Sequence, residues 1–99
     1  MRQFDVCRLR TAGGGLVVVL QHDVADELDT RVVAPLSDQP FRKLMAHLRI
    51  PVQVDGRRYV IQLDRLAAVT RGELGSVMLN LSDEGDRIKR GLDLLFLGV

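Results

Sequence analysis

The chain has 99 residues, 46% of them hydrophobic and 27% charged, with a formal net charge of +1. That length sustains one domain with one modest core, and its composition is that of a folded protein rather than a disordered one. The few aromatics (Phe4, Phe41, Phe96, Tyr59) and near-neutral charge argue against a base-stacking or strongly phosphate-binding surface, the single Cys7 excludes an intramolecular disulfide, and the longest apolar run, Leu16 to Leu20, is too short to span a bilayer.

Gln3 to Leu9 alternates polar and apolar residues and predicts an N-terminal strand. Gly13 to Gly15 supply the positive φ that a hairpin loop needs; a phosphate-binding loop would require a following Gly-Lys-Ser/Thr, which is missing. Leu16 to Gln21, apolar and rich in β-branched residues, predicts a strand buried on both faces. His22 to Thr30 is polar and acidic and predicts a loop. Arg31 to Ala34 resumes a short strand, which Pro35 is expected to stop because it cannot donate to a ladder.

Phe41, Leu44, Met45 and Leu48 recur at helical spacing and predict a short helix with Pro40 in its first turn. Ile50 to Val54 and Arg57 to Leu63 flank Asp55-Gly56, the strongest hairpin signal in the chain. A weaker strand or loop is expected over Ala67 to Leu81, punctuated by Gly72 and Gly75. Ser82 is placed to cap a last helix, with Asp83 and Glu84 suited to its dipole. The pattern as a whole predicts one domain over 1–99. It is a mostly β, antiparallel architecture, a small barrel or sandwich, with a short inserted helix and a C-terminal α-helix.

If that helix holds to the end, Ile88, Leu92, Leu95 and Val99 form its inner stripe, with Phe96 at the margin helping to secure it inward. Leu94 and Leu97 fall on the opposite, otherwise charged face, among Arg87, Arg90 and Asp93. Two leucines beside an uncharged tip form a patch suited to contact with another surface. Asp86 and Arg90 are spaced for an i,i+4 ion pair.

Several stretches, in order and at matching spacing, resemble the CcdB toxins of bacterial type II toxin–antitoxin modules over essentially the full length. They are Gln3-Phe4-Asp5-Val6, Gln21-His22-Asp23-Val24, Arg31-Val32-Val33-Ala34-Pro35-Leu36, Pro51-Val52-Gln53-Val54, Leu74-Gly75, and the run from Ile88 through Lys89-Arg90-Gly91-Leu92-Asp93-Leu94-Leu95-Phe96-Leu97-Gly98 to Val99. The resemblance implies an SH3-like β-barrel with a C-terminal helix, acting in the cytoplasm as a homodimer. It also implies a protein that is not an enzyme, needs no cofactor, and makes no direct contact with nucleic acid or membrane. In the family the dimer binds the A subunit of DNA gyrase and traps the cleaved gyrase–DNA complex. Such modules serve plasmid maintenance. A CcdA-like antitoxin, whose disordered tail folds on binding, holds the toxin inactive.

The family's gyrase-contacting residues are a terminal Trp-Gly-Ile, a nearby Phe and Asn, and two isoleucines after the second strand. By position these fall on Leu97, Gly98 and Val99, on Phe96 and Asp93, and on Val24 and Ala25; Leu94 completes the patch. Leu97 is the main departure. The family's paired Trp rings clasp an arginine of gyrase, and leucine forgoes a cation–π contribution of about 0.5–2 kcal/mol per ring. Asp93 is expected to offset this in part by meeting the same arginine through a charge-assisted hydrogen bond.

Two other readings stand beside this one. An mRNA endoribonuclease on the same barrel would use His22 with Asp23 and Arg31, or His47 with Arg42 and Lys43, as base and transition-state stabiliser. A non-poisoning homologue would use Val24, Ala25, Leu94 and Leu97 only to dock its antitoxin. Two separated histidines and one cysteine do not make a metal ligand set.

Overall fold

A computed structural model describes residues 1–11, 13–39 and 47–98. Among these, seven strands and one α-helix follow in the order β1 (Asp5–Leu9), β2 (Leu16–Val19), β3 (Thr30–Ser37), β4 (Arg49–Val54), β5 (Arg57–Gln62), β6 (Ala67–Thr70), β7 (Leu74–Asn80) and α1 (Gly85–Leu97). The strands form one antiparallel sheet in the order β4-β5-β3-β2-β1-β7, with β6 also paired to β3. The sheet curls into a half-closed barrel, and α1 follows β7. The expected mostly β fold with a C-terminal helix is present. The helix expected over Phe41 to Leu48 falls mainly on residues outside those described; His47 and Leu48 form a turn ahead of β4.

The Asp55-Gly56 turn has φ of 52° and 78° at its two residues, the left-handed pair that joins tightly twisted strands. Strands β4 and β5 accordingly pair without slippage from Arg49↔Gln62 to Val54↔Arg57. Ala67 to Leu81 resolves into two strands separated by a 3-10 turn, Arg71–Glu73, closed by a capping box between Thr70 and Glu73.

Pro35 does not stop β3, which runs on to Ser37. The Leu20 amide donates to the Val32 carbonyl at 2.9 Å, so bonded and unbonded pairs alternate along β2 and β3 and the Val17↔Pro35 pair is an unbonded one. Its nitrogen therefore faces the other edge of β3. There β6 pairs only as far as Val33 and β5 begins at Leu36. A proline costs no ladder bond at that change of partner.

The concave side of the sheet holds the main core, from Phe4, Val6 and Val18 through Ile61 and Leu63 to Ile88 of the helix. The convex side carries a second buried cluster: Cys7, Val17, Val19, Val33 and Leu74. Strand β2 is buried on both faces, as its composition predicts, because its residues alternate between the two clusters. No helix among the described residues is long and apolar enough to cross a membrane.

Ser82 does not cap α1. A 3-10 turn, Ser82–Glu84, leads into the helix, and no side chain caps either element. Asn80 acts one step earlier: its Oδ1 accepts from the Ser82 amide at 2.8 Å, while its Nδ2 donates to the Gln3 carbonyl and the buried Asp5 carboxylate, both at 2.9 Å. The amide side chain thus ties the start of the helix to the start of the sheet.

Candidate functional site

The buried face of α1 is narrow: Gly85, Ile88 and Gly91. Gly91 lies against the barrel so closely that a Cβ there would stand 2.4 Å from Leu63 Cδ1 and 2.7 Å from the His47 carbonyl oxygen. Beyond Gly91 the helix runs off the core, and its apolar residues become exposed. Leu92 and Leu95 are half-buried. Phe96 is 67% exposed and Leu97 70%, with Leu94 also open to solvent. Phe96 therefore does not secure the helix inward as expected. At 100° per residue, Phe96, Asp93, Leu97 and Leu94 follow one another across one solvent-facing arc of about 160°. Asp93 sits between the two largest apolar groups.

The helix also does not continue to the chain end. Gly98 adopts φ of 74°, and its amide donates to the Leu94 carbonyl at 3.1 Å. That left-handed closure is readily available only to glycine. Val99, expected on the inner stripe and among the contact residues, lies outside the described residues. The Asp86–Arg90 pair is not formed; Arg87 instead pairs with Glu84 at 2.5 Å.

The loop carrying Val24 and Ala25 is a 3-10 turn, Asp23–Ala25. His22 Nδ1 accepts from the Val24 amide at 3.0 Å, which turns the Val24 side chain outward to 85% exposure. Leu28, in the same loop, is exposed too. Gln21 connects this loop with the helix tip. Its Nε2 donates to the Ala25 carbonyl at 3.0 Å and its Oε1 accepts from the Val32 amide at 3.2 Å. It also lines a shallow cleft of about 240 Å³ with Leu20, Val32, Leu66, Leu92 and Phe96. Gln21 thus bonds to the Val24–Ala25 turn and shares a cleft with Phe96. Leu94 and Leu97 lie round the helix from that cleft.

Arg31 is the organiser of the loop, a role its sequence context does not announce. Its side chain is 3% exposed. Nη1 donates to the Leu28 and Thr30 carbonyls at 2.5 and 2.8 Å. Nη2 donates to the Asp26 carbonyl and to Asp26 Oδ1, the latter at 2.8 Å. A planar fork of donors converts an irregular segment with unpaired carbonyls into a fixed loop. The signal available in sequence was a lone arginine opening an apolar strand, which equally suits a surface charge.

The residues nominated for ribonuclease chemistry do not converge through these bonds. His22 Nδ1 is occupied by the Val24 amide, and Arg31 is turned to Asp26 and three carbonyls. His47 stands instead with Arg87 and Arg90 around a small opening beside Gly91. Arg42 and Lys43 lie outside the described residues.

The sequence pattern of the family described as "CcdB protein" matches residues 3–98. A search of curated protein sequences found no match. Three solved structures share the fold at low identity. The Mycobacterium tuberculosis toxin MazF-mt6 is 16% identical, with 93% of this chain and 95% of that one covered and a TM-score of 0.78. A structure described as an Mtb toxin is 16% identical over 92% and 99%, with a TM-score of 0.76. An endoribonuclease in complex with its cognate antitoxin, from a mycobacterial species, is 13% identical over 100% and 96%, with a TM-score of 0.83.

Proposed function

The chain belongs to the CcdB family, and from that membership we propose that it is the toxin of a toxin–antitoxin pair. It acts by binding the gyrase A subunit through the tip of α1 and the Val24–Ala25 turn. The observation that carries this reading is the exposure of Phe96 and Leu97, 67% and 70%, on a helix end that leaves the core. Apolar surface of that kind in water is unfavourable by about 25 cal/mol per Å² and favours a protein partner.

Leu97, Gly98, Phe96, Asp93, Leu94, Val24 and Ala25 form the contact surface, with Val99 following Gly98. Gly98 ends the helix, so that Leu97 is the last side chain the helix presents. Asp93, between Phe96 and Leu97, supplies the carboxylate for a partner arginine where the family uses aromatic rings. A homodimer doubles this surface. The convex side of the sheet supports dimerisation, because its buried apolar cluster is flanked by exposed Met1 and Val77. A CcdA-like antitoxin neutralises the toxin.

The test is a cleavage assay with purified gyrase and plasmid DNA. Accumulation of trapped, cleaved complexes that increases with Leu97→Trp supports gyrase poisoning. No trapped complex with either protein rejects it. Growth arrest without gyrase trapping, together with RNA cleavage abolished by His22→Ala, would move the protein to the ribonuclease reading. Absence of growth arrest altogether would leave an antitoxin-binding homologue.

A further inference from the structure

The Asp23–Ala25 turn is held at two points by different chemistry. Its later part is fixed by groups that do not titrate near neutrality: Gln21 Nε2 donates to the Ala25 carbonyl at 3.0 Å, and Arg31 pairs with Asp26. Its first amide, that of Val24, depends on His22. The opening amides of such a turn have no carbonyl within it to bond to, and among the described residues His22 Nδ1 is the one acceptor that the Val24 amide finds. At 85% exposure the Val24 side chain has little packing to fix its direction instead. A ring nitrogen accepts a hydrogen bond only when it carries no proton, so this imidazole is neutral, with its proton on Nε2. Serine, threonine or asparagine in the same capping position would keep its acceptor whatever the pH; histidine does not.

We propose that His22 is a positioning residue for the partner contact, holding Val24 and Ala25 outward while it is neutral and releasing them when it is protonated. The inference rests on the reading in which this turn touches the gyrase A subunit. Protonation puts an N–H where the acceptor stood, so that two donors oppose each other. The cap is therefore present at alkaline pH and is lost as pH falls through the range in which histidine gains its proton, about 8 to 5. The charged groups around the turn do not replace it. Asp23 Oδ1 accepts from the Gln3 amide at 2.7 Å, Asp26 is bonded to Arg31 of β3, and Glu27 and Asp29 follow in the loop. Arg71, whose amide donates to the Asp29 carbonyl, comes from the turn after β6. The N-terminal segment brings Arg2 and Asp5, with Asp5 taking the Arg2 amide, and Lys89 of α1 stands over the Phe4 ring. No ion pair joins the imidazole to a carboxylate among the described residues, so the imidazolium gains no partner for the bond it loses.

The test has two arms, both on the full chain. Nitrogen NMR of the imidazole reads its tautomer and the Val24 amide resonance reads the turn, with no partner present. The proton is expected on Nε2 at about pH 8, and the Val24 amide is expected to move with the His22 titration as the pH is lowered to about 5. A proton on Nδ1 under the alkaline condition, or a Val24 amide that ignores the titration, overturns the proposal. The second arm is a pull-down with the gyrase A subunit over the same range. Binding by the parent chain is expected to weaken about fivefold towards acid, the factor that one net hydrogen bond supplies. His22→Asn, whose side-chain oxygen still caps the turn, is expected to bind as the parent does in alkali and to keep that affinity in acid. His22→Ala is expected to bind throughout as weakly as the protonated parent. Parallel weakening of the parent and His22→Asn, or parental affinity in His22→Ala, overturns the proposal. No binding by any form at any pH rejects the gyrase reading alone, because the resonance arm decides on His22 without gyrase.

Discussion

Arg49 and Asp64 are joined by two parallel hydrogen bonds, Nε to Oδ1 at 2.6 Å and Nη2 to Oδ2 at 2.8 Å. Arg49 opens β4 and Asp64 lies in the 3-10 turn that follows β5, so the pair closes the open end of the hairpin opposite its Asp55-Gly56 turn. The Arg49 guanidinium holds the Asp64 carboxyl below its ordinary range, chiefly through these bonds. A carboxyl whose pKa is depressed in the folded state stabilises the fold above its unfolded value of about 3.9, and that contribution is lost as pH falls further. Asp64→Asn is expected to lower stability at neutral pH by about 1–2 kcal/mol. Urea titrations should show parent and variant converging as the pH is brought below about 4. A difference that persists unchanged in acid would assign the effect to something other than the ion pair.

Gly91→Ala sets two effects against each other. Alanine favours an exposed helix interior by about 1 kcal/mol, but here its methyl would stand 2.4 Å from Leu63 Cδ1 and 2.7 Å from the His47 carbonyl oxygen. Overpacking of about 1–3 kcal/mol is expected to exceed the gain in propensity. Thermal denaturation should therefore give a lower Tm for the variant, and a raised Tm would refute the close contact.

Arg31→Met would leave the Asp26 and Leu28 carbonyls without their donor, and the Thr30 carbonyl with only Gln21 Nε2 at 3.3 Å, and is expected to destabilise by about 2–4 kcal/mol. Limited proteolysis should then cut between residues 26 and 30. Arg31→Lys is expected to restore little, because a single ammonium cannot reproduce the fork that reaches three carbonyls and a carboxylate.

Leu97→Glu separates function from fold. At 70% exposure the side chain makes little packing contribution, so stability should change by less than about 0.5 kcal/mol. Growth arrest on expression should nevertheless be lost, because a charge would replace the apolar centre of the contact surface. Retained growth arrest with an intact fold would exclude the helix tip as the working surface.

Asp93→Asn tests the compensation proposed for the absent tryptophan. If the carboxylate meets a gyrase arginine, the amide should weaken gyrase binding in a pull-down by about tenfold, a charged hydrogen bond being worth about 1.5–3 kcal/mol. Tighter binding by the variant would remove Asp93 from the contact.

Local rules sufficed wherever the determinant was local. Asp55-Gly56 specified its hairpin because two left-handed residues in succession are compatible with few other connections. The double burial of β2 followed from its composition, and the exposure of Leu94 and Leu97 followed from a rotation of 100° per residue. Contacts distant in sequence decided the rest. Pro35 sits inside a strand because β3 changes partner there from β6 to β5, and Asn80 rather than Ser82 secures the start of the helix because Gln3 and Asp5 stand across from it. Arg31 is the exception: its partners lie within five residues, but nothing in their residue types announces that the loop will wrap three carbonyls around it. Phe96 is exposed because the core ends near Gly91, and where a core ends depends on how far the barrel extends beneath the helix. Residue types and spacing thus determined the elements and the outward face of the tip. The depth at which each side chain sits, and the gathering of His47 with Arg87 and Arg90, were decided only when elements far apart in the chain packed together.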